Sequence, residues 1–170
     1  MSKALRRGIP LCIGLSLCSI AWAQNESPEP SHFERVPMRD GVHLATSVYL
    51  PEDDGPWPAI LTRTPYDRKT YGRRAPQYTS AGYAFIAQDF RGKFESEGVY
   101  EPYQTELEDG FDTIEWIAAQ PWCSGKVGIS GRSAMGIAAS LAAAADPPHL
   151  VCGYVVTAPE SLFDESYFMG

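Results

Sequence analysis

The run Gly131-Arg132-Ser133-Ala134-Met135-Gly136 constrains this chain more than any other stretch. Residues 126–130 before it are apolar and strand-like, and residues 133–145 after it are alanine-rich and helix-like. A strand that passes almost directly into a helix must turn sharply, and the small residues around Ser133 let the backbone bend. That junction commits the chain to a layered fold of strands and helices.

The rest of the chain agrees. Strand-like runs lie at 33–38, 42–50, 59–62, 83–88, 126–130 and 150–157, and helices are predicted at 72–80, 103–120 and 133–145. Arg39-Asp40-Gly41 is a turn between the first two strands, with the glycine supplying a positive φ. In the second helix Leu107, Phe111, Ile114, Ile117 and Ala118 recur at helical spacing, while Glu106, Glu108, Asp109 and Glu115 lie elsewhere around it. Alternation of apolar strands with helices predicts an α/β fold: a mostly parallel sheet with helices on both faces and an antiparallel opening hairpin at one edge.

The amino terminus reads as a targeting segment. Lys3, Arg6 and Arg7 precede an apolar stretch at 9–20, too short for a comfortable membrane span, and Ala21-Trp22-Ala23 has the form of a cleavage site. Residues 1–23 are therefore expected to be a signal peptide and the protein to be exported, to the periplasm or the medium. Residues 24–32 read as a disordered leader, and 33–170 as part of one domain. Three positive charges and no negative ones leave with the signal, so the net charge goes from −7 to −10. That excludes nucleic acid and anionic membrane as partners. Cys123 and Cys152 remain after cleavage. In an oxidising compartment they could pair, or they could stay as two buried thiols; their spacing to histidine gives no zinc pattern. No metal or cofactor is expected.

Ser133 is the candidate nucleophile. A serine at a strand-to-helix apex has its hydroxyl lifted off the sheet, and the N–H of the next residue, Ala134, faces a developing oxyanion. The competing reading is a serine that merely caps the helix. The G-x-S-x-G pattern is not met, since residue 135 is Met and the glycine falls at Gly136. Tyr66 follows the third strand, where a second oxyanion donor is usually supplied, and a phenol can donate that bond. In Asp89-Phe90-Arg91-Gly92 an Asp–Arg salt bridge of structural character is expected at a strand's carboxyl end. None of His32, His43 and His149 is well placed as a base; His149 should sit at the amino edge of the sheet, opposite Ser133.

Five segments in order carry a family resemblance. They are Val36-Pro37-Met38-Arg39-Asp40-Gly41-Val42, Leu61-Thr62-Arg63-Thr64-Pro65-Tyr66-Asp67, Gln88-Asp89-Phe90-Arg91-Gly92-Lys93-Phe94-Glu95-Ser96-Glu97-Gly98, Asp112-Thr113-Ile114-Glu115-Trp116-Ile117, and Gly125-Lys126-Val127-Gly128 leading into Gly131-Arg132-Ser133. The chain resembles the cocaine esterase / X-Pro dipeptidyl-peptidase-like family of α/β-hydrolases, which includes α-amino acid ester hydrolases. The resemblance implies an α/β-hydrolase fold and a serine hydrolase that cleaves ester or amide bonds of small molecules or short peptides through an acyl-enzyme. It aligns Ser133 with the nucleophile and Tyr66 with the tyrosine whose hydroxyl joins the oxyanion hole. Where the family usually has Tyr after the nucleophile, this chain has Ala134, which implies a roomier acyl pocket. The family continues into a cap, strands bearing the triad Asp and His, and a C-terminal jelly roll. The chain is thus expected to be an N-terminal portion, inactive alone. The alternative is a non-catalytic remnant or a binding module on a hydrolase scaffold.

Overall fold

The computed structural model describes residues 27–159. Six strands form one sheet: β1 (His32–Pro37), β2 (His43–Tyr49), β3 (Trp57–Thr64), β4 (Ala84–Asp89), β5 (Cys123–Arg132) and β6 (Leu150–Val156). Their order across the sheet is β1-β2-β4-β3-β5-β6. The β1–β2 hairpin and the β2–β4 pair are antiparallel, while β4, β3, β5 and β6 run parallel. The predicted α/β class, the mostly parallel sheet and the antiparallel opening hairpin are all present.

The connections carry α1 (Arg68–Tyr71), a 3-10 turn at Gly72–Arg74, α2 (Ala75–Thr79), α3 (Glu106–Ala118) and α4 (Ala134–Ala144). The period of two in β4 shows that both faces of the sheet are covered. Ala84 and Ile86 pack with Ile114 and Ile117 of α3 and Ala139 and Ala142 of α4. Phe85 and Ala87 pack on the other face with Tyr49 and Ala75, and the Tyr78 ring stacks on Phe85 with centroids 4.8 Å apart.

Several boundaries differ from the sequence reading. β1 starts at His32, and the Ser31 hydroxyl accepts the Leu50 N–H at 2.9 Å, so the end of the expected leader is tied to the sheet. β3 begins at Trp57 and runs on to Thr64, because the charged Arg63 is buried within it rather than ending it. Helix starts before Gly72, where the Asp67 side chain accepts the Lys69 N–H. The face of α3 is the largest correction. Its buried residues are Glu106, Asp109, Gly110, Thr113, Ile114 and Ile117, whereas Leu107 is 37% exposed. The buried Arg63 and the partly buried Arg91 face that helix and draw its acidic residues inward.

Cys123 and Cys152 are unbonded, the first buried and the second exposed. The expected signal peptide, 1–23, lies outside the described residues; among those described, no helix is long and apolar enough to cross a membrane.

Candidate active site

β4, β3 and β5 are neighbours in the sheet and parallel, so their carboxyl ends form one edge. β3 and β5 are in register near Leu61 and Ile129, and the Thr62 hydroxyl donates to the Ser130 carbonyl at 3.1 Å. Four residues beyond Thr62 comes Tyr66, and three beyond Ser130 comes Ser133. The chain's two candidate side-chain groups therefore leave the same edge from adjacent strands. Open α/β sheets bind ligands at that edge.

Backbone strain is concentrated on the connections that leave this edge, with Asp146 (φ 52°) before β6 the one non-glycine residue of left-handed φ elsewhere among those described. Non-glycine residues with left-handed φ occur in each connection leaving a parallel strand: Asp67 (75°) after β3, Phe94 (49°) and Tyr103 (62°) after β4, Ser133 (57°) after β5 and Thr157 (55°) after β6. Such conformations are uncommon outside glycine and persist where the surrounding structure over-determines them.

Ser133 has φ 57° and ψ −126°. Its N–H donates to the Val156 carbonyl at 3.0 Å and its carbonyl accepts the Ile137 N–H at 3.0 Å, which fixes the apex between β6 and α4. Its hydroxyl makes no capping bond to the helix, and the residue is exposed. The capping reading therefore fails: the hydroxyl is free of the role that serine usually plays at a helix start. Ala134 is the first residue of α4, so its N–H has no acceptor within the helix.

The turn also explains the displaced glycine. A Cβ on Gly131 would lie 2.1 Å from the Met135 carbonyl oxygen and 2.7 Å from the Gly136 nitrogen. One on Gly136 would meet Ala158 Cβ at 3.1 Å and the Val156 carbonyl oxygen at 3.2 Å. The tight contacts fall at 131 and 136, and the atoms of residue 135 nearest a Cβ on Gly131 are its backbone carbonyl. A methionine side chain is tolerated there.

Tyr66 is 54% exposed. Its N–H donates to the Thr64 hydroxyl at 3.0 Å. On either side of it lie two buried arginines. Arg63 Nε donates to Gln88 Oε1 at 2.8 Å, and its Nη1 lies 2.6 Å from Glu106 Oε2, close but off the axis of an aligned hydrogen bond. Arg68 donates its backbone N–H and its Nη1 to the two oxygens of Asp89, each at 2.7 Å, and also pairs with Glu95. Burial pushes the Asp89 and Glu106 carboxyls up, against the pull of their arginines.

The expected Asp89–Arg91 bridge is replaced by two others. Asp89 binds Arg68, while Arg91 donates to Asp109 at 2.6 and 3.1 Å and to Asp40 at 2.6 and 3.3 Å. β4 ends at Asp89, and Arg91 lies in the turn closed by the Lys93 N–H on the Phe90 carbonyl, so the strand's alternation no longer fixes its direction and each residue finds its own partner. The sequence reading missed Arg63, Arg68, Glu106 and Asp109. The available signal was the spacing of Glu106 and Asp109, which shares a helix face with Gly110 and Thr113. It also passed over Tyr100 and Tyr103 in the β4–α3 connection. Burial raises both phenols, with smaller contributions from neighbours that include Tyr66.

The histidines lie elsewhere. His149 Nδ1 is 2.8 Å from Glu115 Oε2 at the amino edge, where the sequence placed it. The His32 ring meets Trp122 edge-on. His43 Nδ1 is 3.2 Å from Glu97 Oε2 on β2, three strand positions from β5, or about 14 Å across the sheet. A cleft of about 530 Å³ lined by Phe33, Arg35, Tyr49, Arg68, Lys69 and Glu95 is on the far strands, and Ser133 does not line it. Among the described residues no group of three or more His, Cys, Asp or Glu could hold a metal.

The family model of the X-Pro dipeptidyl-peptidase (S15 family) matches residues 40–170. The chain belongs to that family. Among curated proteins the chain is similar to the cocaine esterase of Rhodococcus sp. (strain MB1 Bresler), 44% identical over 108 residues, which are 60% of this chain and 19% of the esterase. Among solved structures, an alpha-amino acid ester hydrolase superposes with a TM-score of 0.66 at 31% identity, over 72% of this chain and 24% of that one. A CocE/NonD family hydrolase from Staphylococcus aureus gives 0.63 at 25% identity, over 71% and 26%. The S15 chain thus has the α/β-hydrolase arrangement, and it spans about a fifth of the length of the curated relatives it matches.

Proposed function

We propose that this chain is the N-terminal portion of an exported serine hydrolase that cleaves ester or amide bonds through an acyl-enzyme. The observation that carries the reading is the Ser133 apex: a strained turn, an exposed hydroxyl with no capping bond, and Tyr66 leaving the neighbouring strand at the same edge. Family membership and the esterase names of the relatives support the reaction class.

In this reading the Ser133 hydroxyl oxygen attacks the substrate carbonyl carbon and its proton passes to a base. The tetrahedral oxyanion accepts hydrogen bonds from the Tyr66 hydroxyl and the Ala134 N–H. Collapse expels the alcohol or amine and leaves the acyl group on Ser133, and water then releases it. The 170 residues contain three histidines, and all three are engaged away from Ser133. The base is therefore supplied from outside this segment, and residues 24–170 alone should turn over little or no substrate. Substrates are small esters or amides, or short peptides; nucleic acid and membrane are not partners of the mature chain.

The test is hydrolysis of p-nitrophenyl esters by the complete gene product. Ser133→Ala should abolish turnover and the acyl-enzyme burst. Unchanged hydrolysis in that variant would remove Ser133 as the nucleophile, and no hydrolysis by the parent would favour a binding scaffold instead. Mass spectrometry of the exported protein tests cleavage before Gln24.

A further inference from the structure

We propose that Asp89 is a positioning residue for Tyr66: acting through Arg68, it fixes the turn that presents the phenol. The inference rests on the reading of Tyr66 as an oxyanion donor.

Asp89 closes β4 and is fully buried. Its Oδ1 accepts the backbone N–H of Arg68 and its Oδ2 accepts Arg68 Nη1, both at 2.7 Å. One carboxylate therefore holds both the main chain and the side chain of the residue two beyond Tyr66. The other end of the turn is held on the same strand pair. The Thr64 hydroxyl accepts the Tyr66 N–H at 3.0 Å, and the Thr64 carbonyl accepts the Phe90 N–H at 2.9 Å. Between the two anchors the chain reverses through Asp67 at φ 75°. Tyr66 itself is more than half exposed, so its direction is set by the backbone beneath it rather than by packing around its ring.

An oxyanion donor must meet a position that exists only in the transition state, and a misplacement of about 1 Å costs up to about 100-fold in rate. Two charge-assisted hydrogen bonds from one side chain fix direction in a way that an apolar contact does not. For stability alone, a buried ion pair gains little over a well-packed apolar pair. Arg68 has a second anionic partner in Glu95, so the Asp89 contact is not needed merely to neutralise it.

The experiment is steady-state ester hydrolysis by the complete gene product in a double-mutant cycle. In Asp89→Asn the amide oxygen still accepts the Arg68 N–H, but the amide nitrogen faces the guanidinium and repels it. We expect kcat to fall about 10- to 100-fold with KM within about twofold. In a Tyr66→Phe background the same substitution should change kcat by less than about twofold, because the group it positions is gone. Arg68→Lys keeps the charge and the N–H bond but loses the fork. It should give a smaller loss with the same non-additivity, and it serves if Asp89→Asn does not fold. Equal losses in both backgrounds, or a lower melting temperature with unchanged kcat, would overturn the proposal. If Tyr66→Phe alone left kcat unchanged, the Tyr66 assignment would fail first and the positioning role with it.

Discussion

Gly131 and Met135 approach so closely that a single methyl group on the glycine would lie 2.1 Å from the Met135 carbonyl oxygen. Neither partner is a side chain that could swing away. Gly131→Ala should therefore force β5 and α4 apart and cost at least about 3 kcal/mol, at the upper end of overpacking effects. Chemical denaturation of the variant checks this; a loss under about 1 kcal/mol would mean that the turn relaxes freely.

The apex itself should trade stability for chemistry. Ser133 occupies a backbone region that glycine adopts without strain, and its hydroxyl makes no capping bond. Ser133→Gly is expected to remove turnover while raising the folding free energy by up to about 1 kcal/mol, net of the glycine's greater freedom when unfolded. Thermal melts of Ser133→Ala and Ser133→Gly side by side separate the two effects, because alanine keeps the strain.

Away from the site, Gly110 lets α3 and α4 touch. A Cβ there would lie 2.4 Å from Ala142 Cβ and 3.6 Å from Arg63 Nη1. Gly110→Ala should destabilise by about 1–3 kcal/mol despite its better helix propensity, and Gly110→Ala with Ala142→Gly should recover much of the loss. An unchanged stability in the single variant would contradict the close packing.

A fourth expectation concerns acid. Hydrogen bonds from Lys69, then Arg68, hold the Glu95 carboxyl down at about 2. A depressed carboxylate adds stability that is complete above its ordinary value near 4.5 and is lost as pH falls toward 2. Glu95 is 44% exposed, so solvent screening keeps the contribution under about 1 kcal/mol. Asp89 acts with the opposite sign, since burial raises it. The stability gap between parent and Glu95→Gln should thus shrink between pH 4.5 and 2 and narrow with salt. A gap that widened on acidification would reverse the sign.

Much of the architecture was legible because apolar strand runs and turn residues are local signals. The junction at Ser133 was visible for the same reason, and five ordered segments added Tyr66. What escaped was charge. Arg63 reads as the end of a strand and Glu106 as a helix's wet face, yet both are buried against each other across 43 residues of sequence. A single sequence shows which residues carry charge but not that a partner 21 positions away, as for Arg68 and Asp89, or 43, as for Arg63 and Glu106, makes burial tolerable. Trp57 and Pro58 lie outside the strand-like run at 59–62, at the end of a stretch rich in Pro, Gly and Asp that reads as loop; they stand at the start of β3, beside a register shift against β5.

The sheet order has a consequence for synthesis. β3 lies between β4 and β5, both of which follow it in the chain. As the polypeptide emerges, Trp57–Thr64 has no parallel neighbour until β4 appears, and one edge stays open until β5 is complete. An apolar strand with unsatisfied edges is a template for the wrong partner. Pro58 near its start and Arg63 near its end interrupt that template in the nascent chain, before either residue has reached its place in the finished sheet.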